Sequence, residues 1–225
     1  MVGQRVRKGG AVLAALAIVA AGAVTGVGSA GAAGMGSSGA ACATCTQDSF
    51  RDYQYRGDIL VDYRGPGSVV VGQQVAFTAE FVARHFGPGP MPDVKVATVT
   101  HRAPEGFEFT GAEVTAYDWT PGKYPMTPLD ASVTVDPVTG YLTLTAPEGG
   151  WAIPGIADAT EPGTTRTGSV IVKLRYSATK SVSDGVSNLT FTGTDVPASD
   201  GWVTTGTTRV DAGPQGLGGF GSSGS

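Results

Sequence analysis

Between about residues 50 and 211 the apolar positions recur at every second residue. Val75, Phe77, Ala79 and Phe81 fall on one face of an extended segment, and Gln74, Ala76, Thr78 and Glu80 on the other. Val170, Val172, Leu174 and Tyr176 repeat the pattern against Ile171, Lys173 and Arg175. Period two is the spacing of a half-buried strand, because successive side chains point to opposite faces of a sheet. Phe107 and Phe109 start another such run towards Val114. Further strands are predicted at 58–63, 94–100, 186–191 and 203–210, where Thr and Val dominate and favour a pleated surface.

Val133 and Val135 lead into Asp136-Pro137-Val138-Thr139-Gly140, and Tyr141, Leu142 and Leu144 follow. Asp and Pro set up a turn and Gly accepts positive φ at its end, so this segment predicts a hairpin. No stretch of ten residues has helical spacing, and Gly and Pro punctuate the chain too often for long helices. The expected fold is all-β: an immunoglobulin-like, two-sheet antiparallel sandwich of about seven to nine strands. Residues 116–130 and 146–167 carry three prolines each and read as long loops.

Val71-Gly72-Gln73-Gln74-Val75-Ala76-Phe77-Thr78-Ala79-Glu80-Phe81 resembles the opening of an immunoglobulin-like repeat of unknown function. That repeat occurs in secreted and surface proteins of bacteria, of actinobacterial type. Pro92-Asp93-Val94-Lys95-Val96 resembles its next Val-rich strand, and Ala103-Pro104-Glu105-Gly106-Phe107-Glu108-Phe109 its Leu-Pro-x-Gly-aromatic step. The segments 168–176 and 186–191 resemble its late strands. The resemblance spans residues 68–210 and implies a structural or adhesive role at the cell surface. Here the repeat occurs once, and a Leu-Pro-x-Thr-Gly sorting signal is absent.

The N-terminus reads as a secretory signal over residues 1–32. Arg5, Arg7 and Lys8 precede an uncharged apolar run from Ala11 to Val24, and Ala30-Gly31-Ala32 offers a small-x-small cleavage site. The run is short and Ala-rich for a membrane span, so no transmembrane segment is expected in the mature chain. A Gly/Ala/Ser lead over 33–49 and a Gly/Ser-rich tail over 212–225 bury too little apolar surface to offset their ordering entropy, and both are expected to be disordered. With the leader removed, 12 basic residues face 19 acidic ones. That balance, with no basic stripe, argues against a nucleic-acid partner.

Little in the sequence carries covalent chemistry. Cys42 and Cys45 form Cys-x-x-Cys, which in an oxidising exterior predicts a disulfide, closed within the motif or between chains. No helix or βαβ pattern surrounds it to lower a thiol pKa. His85 and His101 complete a four-ligand set only arithmetically, and they read as surface histidines near strand ends, so no metal is expected. The Gly-x-Ser-x-Gly elbow and the phosphate-binding glycine patterns are missing, and no cofactor is expected. Glu105, Glu108 and Glu113 lie close in sequence but alternate towards solvent. Arg56-Gly57-Asp58 spells a cell-adhesion tripeptide, yet it runs straight into an apolar segment and reads as chance. Asn188-Leu189-Thr190 falls within a strand and is discounted as a glycosylation acceptor. A covalent link between Lys173 and Asn188 is disfavoured, because Lys173 alternates onto the polar face.

The binding candidates are aromatic: Tyr117, Trp119 and Tyr124 in one Pro-rich loop and Trp151 in the other. Such rings stack on sugars or fill partner pockets, although loop aromatics also commonly cap a sandwich core. The sequence therefore predicts a secreted or envelope-associated, non-catalytic protein with a structural, adhesive or interaction role. Its partner would be an unidentified protein or a cell-wall glycan. A carbohydrate-binding module is the alternative, and a carboxylate-based hydrolase a more distant one.

Overall fold

The computed structural model describes residues 49–83, 91, 93–118, 125–157 and 165–213. Fifteen strands run in order: β1 Ser49–Arg56, β2 Ile59–Pro66, β3 Ser68–Val70, β4 Gln74–Ala83, β5 Lys95–Arg102, β6 Phe107–Tyr117, β7 Met126–Pro128, β8 Ser132–Val135, β9 Leu142–Thr145, β10 Trp151–Ala152, β11 Gly155–Ala157, β12 Thr165–Thr167, β13 Ser169–Ala178, β14 Val182–Gly193 and β15 Thr204–Asp211. The first sheet has the order β1-β2-β4-β13-β6-β7. The second has β3-β15-β14-β5-β9-β8, with β10 beside β5, and β11 and β12 pair separately. All pairings are antiparallel except β3 with β15. No helix long and apolar enough to cross a membrane is present among the described residues.

The fold is the expected all-β, immunoglobulin-like sandwich. Its strands outnumber the seven to nine expected, because the Pro-rich stretches supply short strands and a further edge strand, β1, precedes the first predicted one. Alternation places Phe77, Ala79 and Phe81 of β4 and Val170, Val172, Leu174 and Tyr176 of β13 in the core. Val96, Val99, Leu142, Leu144, Leu189 and Phe191 meet them from the second sheet. Phe81 and Phe191 join the layers, with ring centroids 5.0 Å apart.

The β8–β9 turn forms by the mechanism its sequence predicts. The Asp136 carboxylate accepts hydrogen bonds from the Val138 and Thr139 amides at 2.8 and 2.9 Å, and Gly140 takes φ +72°. At one open side of the sandwich Phe50 of β1 inserts its ring over Gly65 and Gly206. A Cβ on Gly206 would stand 2.1 Å from that ring, so the glycine makes the slot. The Asp52 carboxylate accepts a 3.0 Å hydrogen bond from the Thr205 amide, tying β1 to β15 beside the slot.

Candidate binding face

Polar groups gather in three places. The first is inside the sandwich. His101 of β5 is fully buried, its Nε2 2.8 Å from the Tyr63 hydroxyl and its Nδ1 2.8 Å from the Tyr176 hydroxyl. This corrects the expectation of a surface histidine: alternation along β5 points residue 101 inward, where two hydroxyls from the opposite sheet satisfy both ring nitrogens. Burial drives the imidazole down to about 3, so it is neutral, and it raises both tyrosines. A neutral imidazole has one donor and one acceptor, so one tyrosine donates to it and the other accepts from it. Phe77 and Phe107 pack around the cluster. It is a fully buried strut between the layers.

The second group lies on the first sheet. Asp62, with a side chain 8% exposed, accepts hydrogen bonds from Arg51 of β1 and Arg64 of β2. Burial alone would raise its carboxyl, but the two guanidinium groups outweigh that and hold it at about 2. Glu113 pairs with Arg175 at 2.6 Å and Glu105 with Lys180 at 2.5 Å, both on exposed positions. Among the described residues no group of three or more His, Cys, Asp or Glu could hold a metal ion.

The third group covers the outer face of the second sheet. Ser132, Thr145, Thr98 and Thr192 lie side by side across β8, β9, β5 and β14. Thr134, Thr143, Thr100 and Thr190 form the next row across the same strands. Register produces the array: four Ser/Thr-x-Thr segments pair in step, with the intervening Leu144, Val99 and Phe191 turned into the core. The Thr98 and Thr192 hydroxyls share a 2.7 Å hydrogen bond, and those of Thr100 and Thr143 one of 3.0 Å. Tyr141 alternates with buried Leu142 and so stands on this same face. The Trp202 ring reaches it edge-on, with centroids 5.2 Å apart, although β5 and β14 separate β9 from β15 in the sheet. Both rings are half-buried. A shallow groove of about 340 Å³, lined by Thr98, Thr145, Pro147, Gly150 and Thr194 among others, continues from the first row.

Of the four aromatic residues singled out in the sequence, Trp119 and Tyr124 lie outside the described residues, as do Cys42, Cys45 and His85. Trp151 is 3% exposed, and its indole N–H donates to the Asp130 carbonyl at 2.8 Å, so it is occupied in packing the Pro-rich segment onto the core. Tyr117 is half-buried at the end of β6. Tyr141 and Trp202 are the aromatic pair that sequence reasoning missed. The signal available was the parity of Tyr141 against Leu142 and the Asp200-Gly201 turn before Trp202.

Arg56-Gly57-Asp58 sits at the exposed tip of the β1–β2 hairpin, with Gly57 at φ +53°, so the tripeptide has the exposure that the sequence reading denied it. Lys173 is exposed on the first sheet, whereas Asn188 is 7% exposed in the second and pairs with Arg102 and Thr205. A bond between those two side chains would have to cross the sandwich.

Fold and site together define an immunoglobulin-like sandwich with a hydroxyl-rich outer face. No family model matches the chain, and no curated protein matches it. Among solved structures it is similar to the C-terminal domain of the Streptococcus pyogenes antigen I/II-family protein AspA, at 13% identity and a TM-score of 0.42, over 67% of this chain and 54% of that one. It is also similar to the group B streptococcus pilus 2b backbone protein, at 15% identity and a TM-score of 0.39, over 68% and 57%. A collagen-binding domain from a Staphylococcus aureus adhesin is similar at 12% identity and a TM-score of 0.35, over 65% and 96%. These three are domains of surface proteins of Gram-positive bacteria. A fourth, AvmM, which catalyses macrocyclization in alchivemycin A biosynthesis, is similar at 10% identity and a TM-score of 0.33, over 74% and 98%. The chain spans about half the length of the AspA and pilus chains it matches.

Proposed function

We propose that this chain is a secreted or envelope-associated protein that works without catalysis, by contact through the outer face of its second sheet. The observation that carries the reading is where the polar side chains are. The buried histidine is held between two tyrosines, and Asp62, the most buried carboxylate among the described residues, between two arginines. Outside these closed clusters, the hydroxyl rows and the ring pair beside them form an ordered polar and aromatic surface on the outer face of the second sheet. The secretory leader read from the sequence supplies the compartment. A single immunoglobulin-like repeat with Gly-rich ends fits an adhesive or structural module.

The test is retention by envelope material. Purified mature protein is incubated with cell-wall fractions and sedimented, and bound partners are trapped by crosslinking. Sedimentation with the wall, or a discrete crosslinked partner, supports the reading. Recovery of all the protein in the supernatant with no crosslinked species would overturn it.

A further inference from the structure

We infer that the outer face of the second sheet binds a neutral polysaccharide whose flat sugar rings lie across β9, β5 and β14, stacked against the Tyr141–Trp202 pair. This rests on the contact function proposed above and names its ligand. Three features on that face select the ligand class. The first is the charge: between Lys95 at one end of β5 and Arg102 at the other, the two rows hold one Ser and seven Thr across four strands, with no ionisable side chain among the eight. A charged ligand would find no counter-charge in them, whereas a neutral polyol need shed no counterions.

The second is hydrogen-bonding capacity. A hydroxyl carries one donor and two acceptor sites. The Thr98–Thr192 and Thr100–Thr143 pairs each spend one donor and one acceptor on each other. Each pair keeps one donor and three acceptor sites in a fixed geometry, which matches sugar hydroxyls that both donate and accept. The rows are spaced by the sheet itself, about 4.8 Å from strand to strand and roughly 6.7 Å from one row to the next. The partner groups are therefore set by backbone hydrogen bonds rather than by mobile side chains.

The third is the aromatic pair. Tyr141 and Trp202 meet edge to face over the sheet, each locked by the other and each half-buried. Rings fixed in this way present apolar area at little entropic cost, and the C–H faces of pyranose rings are apolar. The groove past Thr98 and Thr145 gives a chain room to continue beyond the rows.

The full mature protein is mixed with microcrystalline cellulose, with chitin and with insoluble xylan, at low salt and at 1 M NaCl. The inference predicts sedimentation with at least one of them that is unaffected by salt. Trp202→Ala should weaken that binding at least tenfold. The pair Thr100→Val and Thr143→Val, which keeps shape and strand preference, should weaken it at least threefold with an unchanged circular dichroism spectrum. No sedimentation with any of the three overturns the inference, and so does binding that both variants retain. Retention by cell-wall fractions that survives Trp202→Ala would leave the broader contact function standing and eliminate this ligand assignment.

Discussion

The Nδ1 of His101 lies 2.8 Å from the hydroxyl of Tyr176, and that contact crosses from one sheet to the other. With Tyr63 on the second ring nitrogen it forms a buried polar strut, and Ser187 is buried beside Tyr63. Tyr176→Phe or Tyr63→Phe leaves one imidazole nitrogen without a partner. Each should lower stability by about 1–3 kcal/mol, the cost of an unsatisfied buried polar group. Urea denaturation of the two variants against the parent measures it.

The same histidine makes stability depend on pH. Its unfolded value lies near 6.5 and its folded value at about 3. Between these the unfolded chain binds a proton that the folded one excludes. Stability is therefore full above pH 6.5 and falls on acidification, by up to about 1.4 kcal/mol per pH unit down to about 3. Asp62, depressed to about 2, adds loss in the same direction below about 3.8. His101→Gln should be less stable at pH 7 and should flatten the profile between pH 6.5 and 4. A variant that keeps the parent's slope there would remove His101 as its source.

Phe50 and Gly206 should be energetically coupled. In the parent, Gly206→Ala drives a methyl into the Phe50 ring, at a cost of roughly 1–3 kcal/mol for overpacking. In a Phe50→Ala background the slot is empty, and the same substitution should cost a few tenths of a kcal/mol apart from strand propensity. A double-mutant cycle by thermal unfolding checks this. Additive effects would mean that the ring is not seated there in solution.

The separation of Lys173 from Asn188 predicts an uncrosslinked chain. Intact mass spectrometry of the purified domain should match its sequence, with no loss of about 17 Da for one ammonia.

Much of this architecture is readable from alternation alone. The parity of Phe77 and Phe81, and of Val170 to Tyr176, fixes which side of each strand is buried, and the Asp136–Gly140 turn carries its own hydrogen-bonding logic. What alternation does not convey is which strands become neighbours. The hydroxyl rows exist because β8, β9, β5 and β14 pair in step, and a Ser/Thr-x-Thr segment in isolation reads only as a good strand former. The inward position of His101 is hidden for a related reason. A polar residue on an inward position looks like a break in the pattern unless its partners are known, and Tyr63 and Tyr176 are 38 and 75 residues away. Trp151 shows the converse. A tryptophan among prolines fits either an open binding ring or a cap on the core, and burial with its indole on the Asp130 carbonyl fits the cap.

The proposed contact function assigns stability to the core and retention to the outer face of the second sheet, and two variants compared on one wall fraction test that division. Wall-fraction sedimentation at pH 7.5 and thermal unfolding are measured for Tyr141→Ala with Trp202→Ala, and for His101→Gln. The double variant should lose retention at least tenfold while unfolding within a few degrees of the parent, and His101→Gln should keep retention while unfolding well below it. Loss of retention in His101→Gln at a temperature where it is fully folded, with the double variant still bound, would contradict the account.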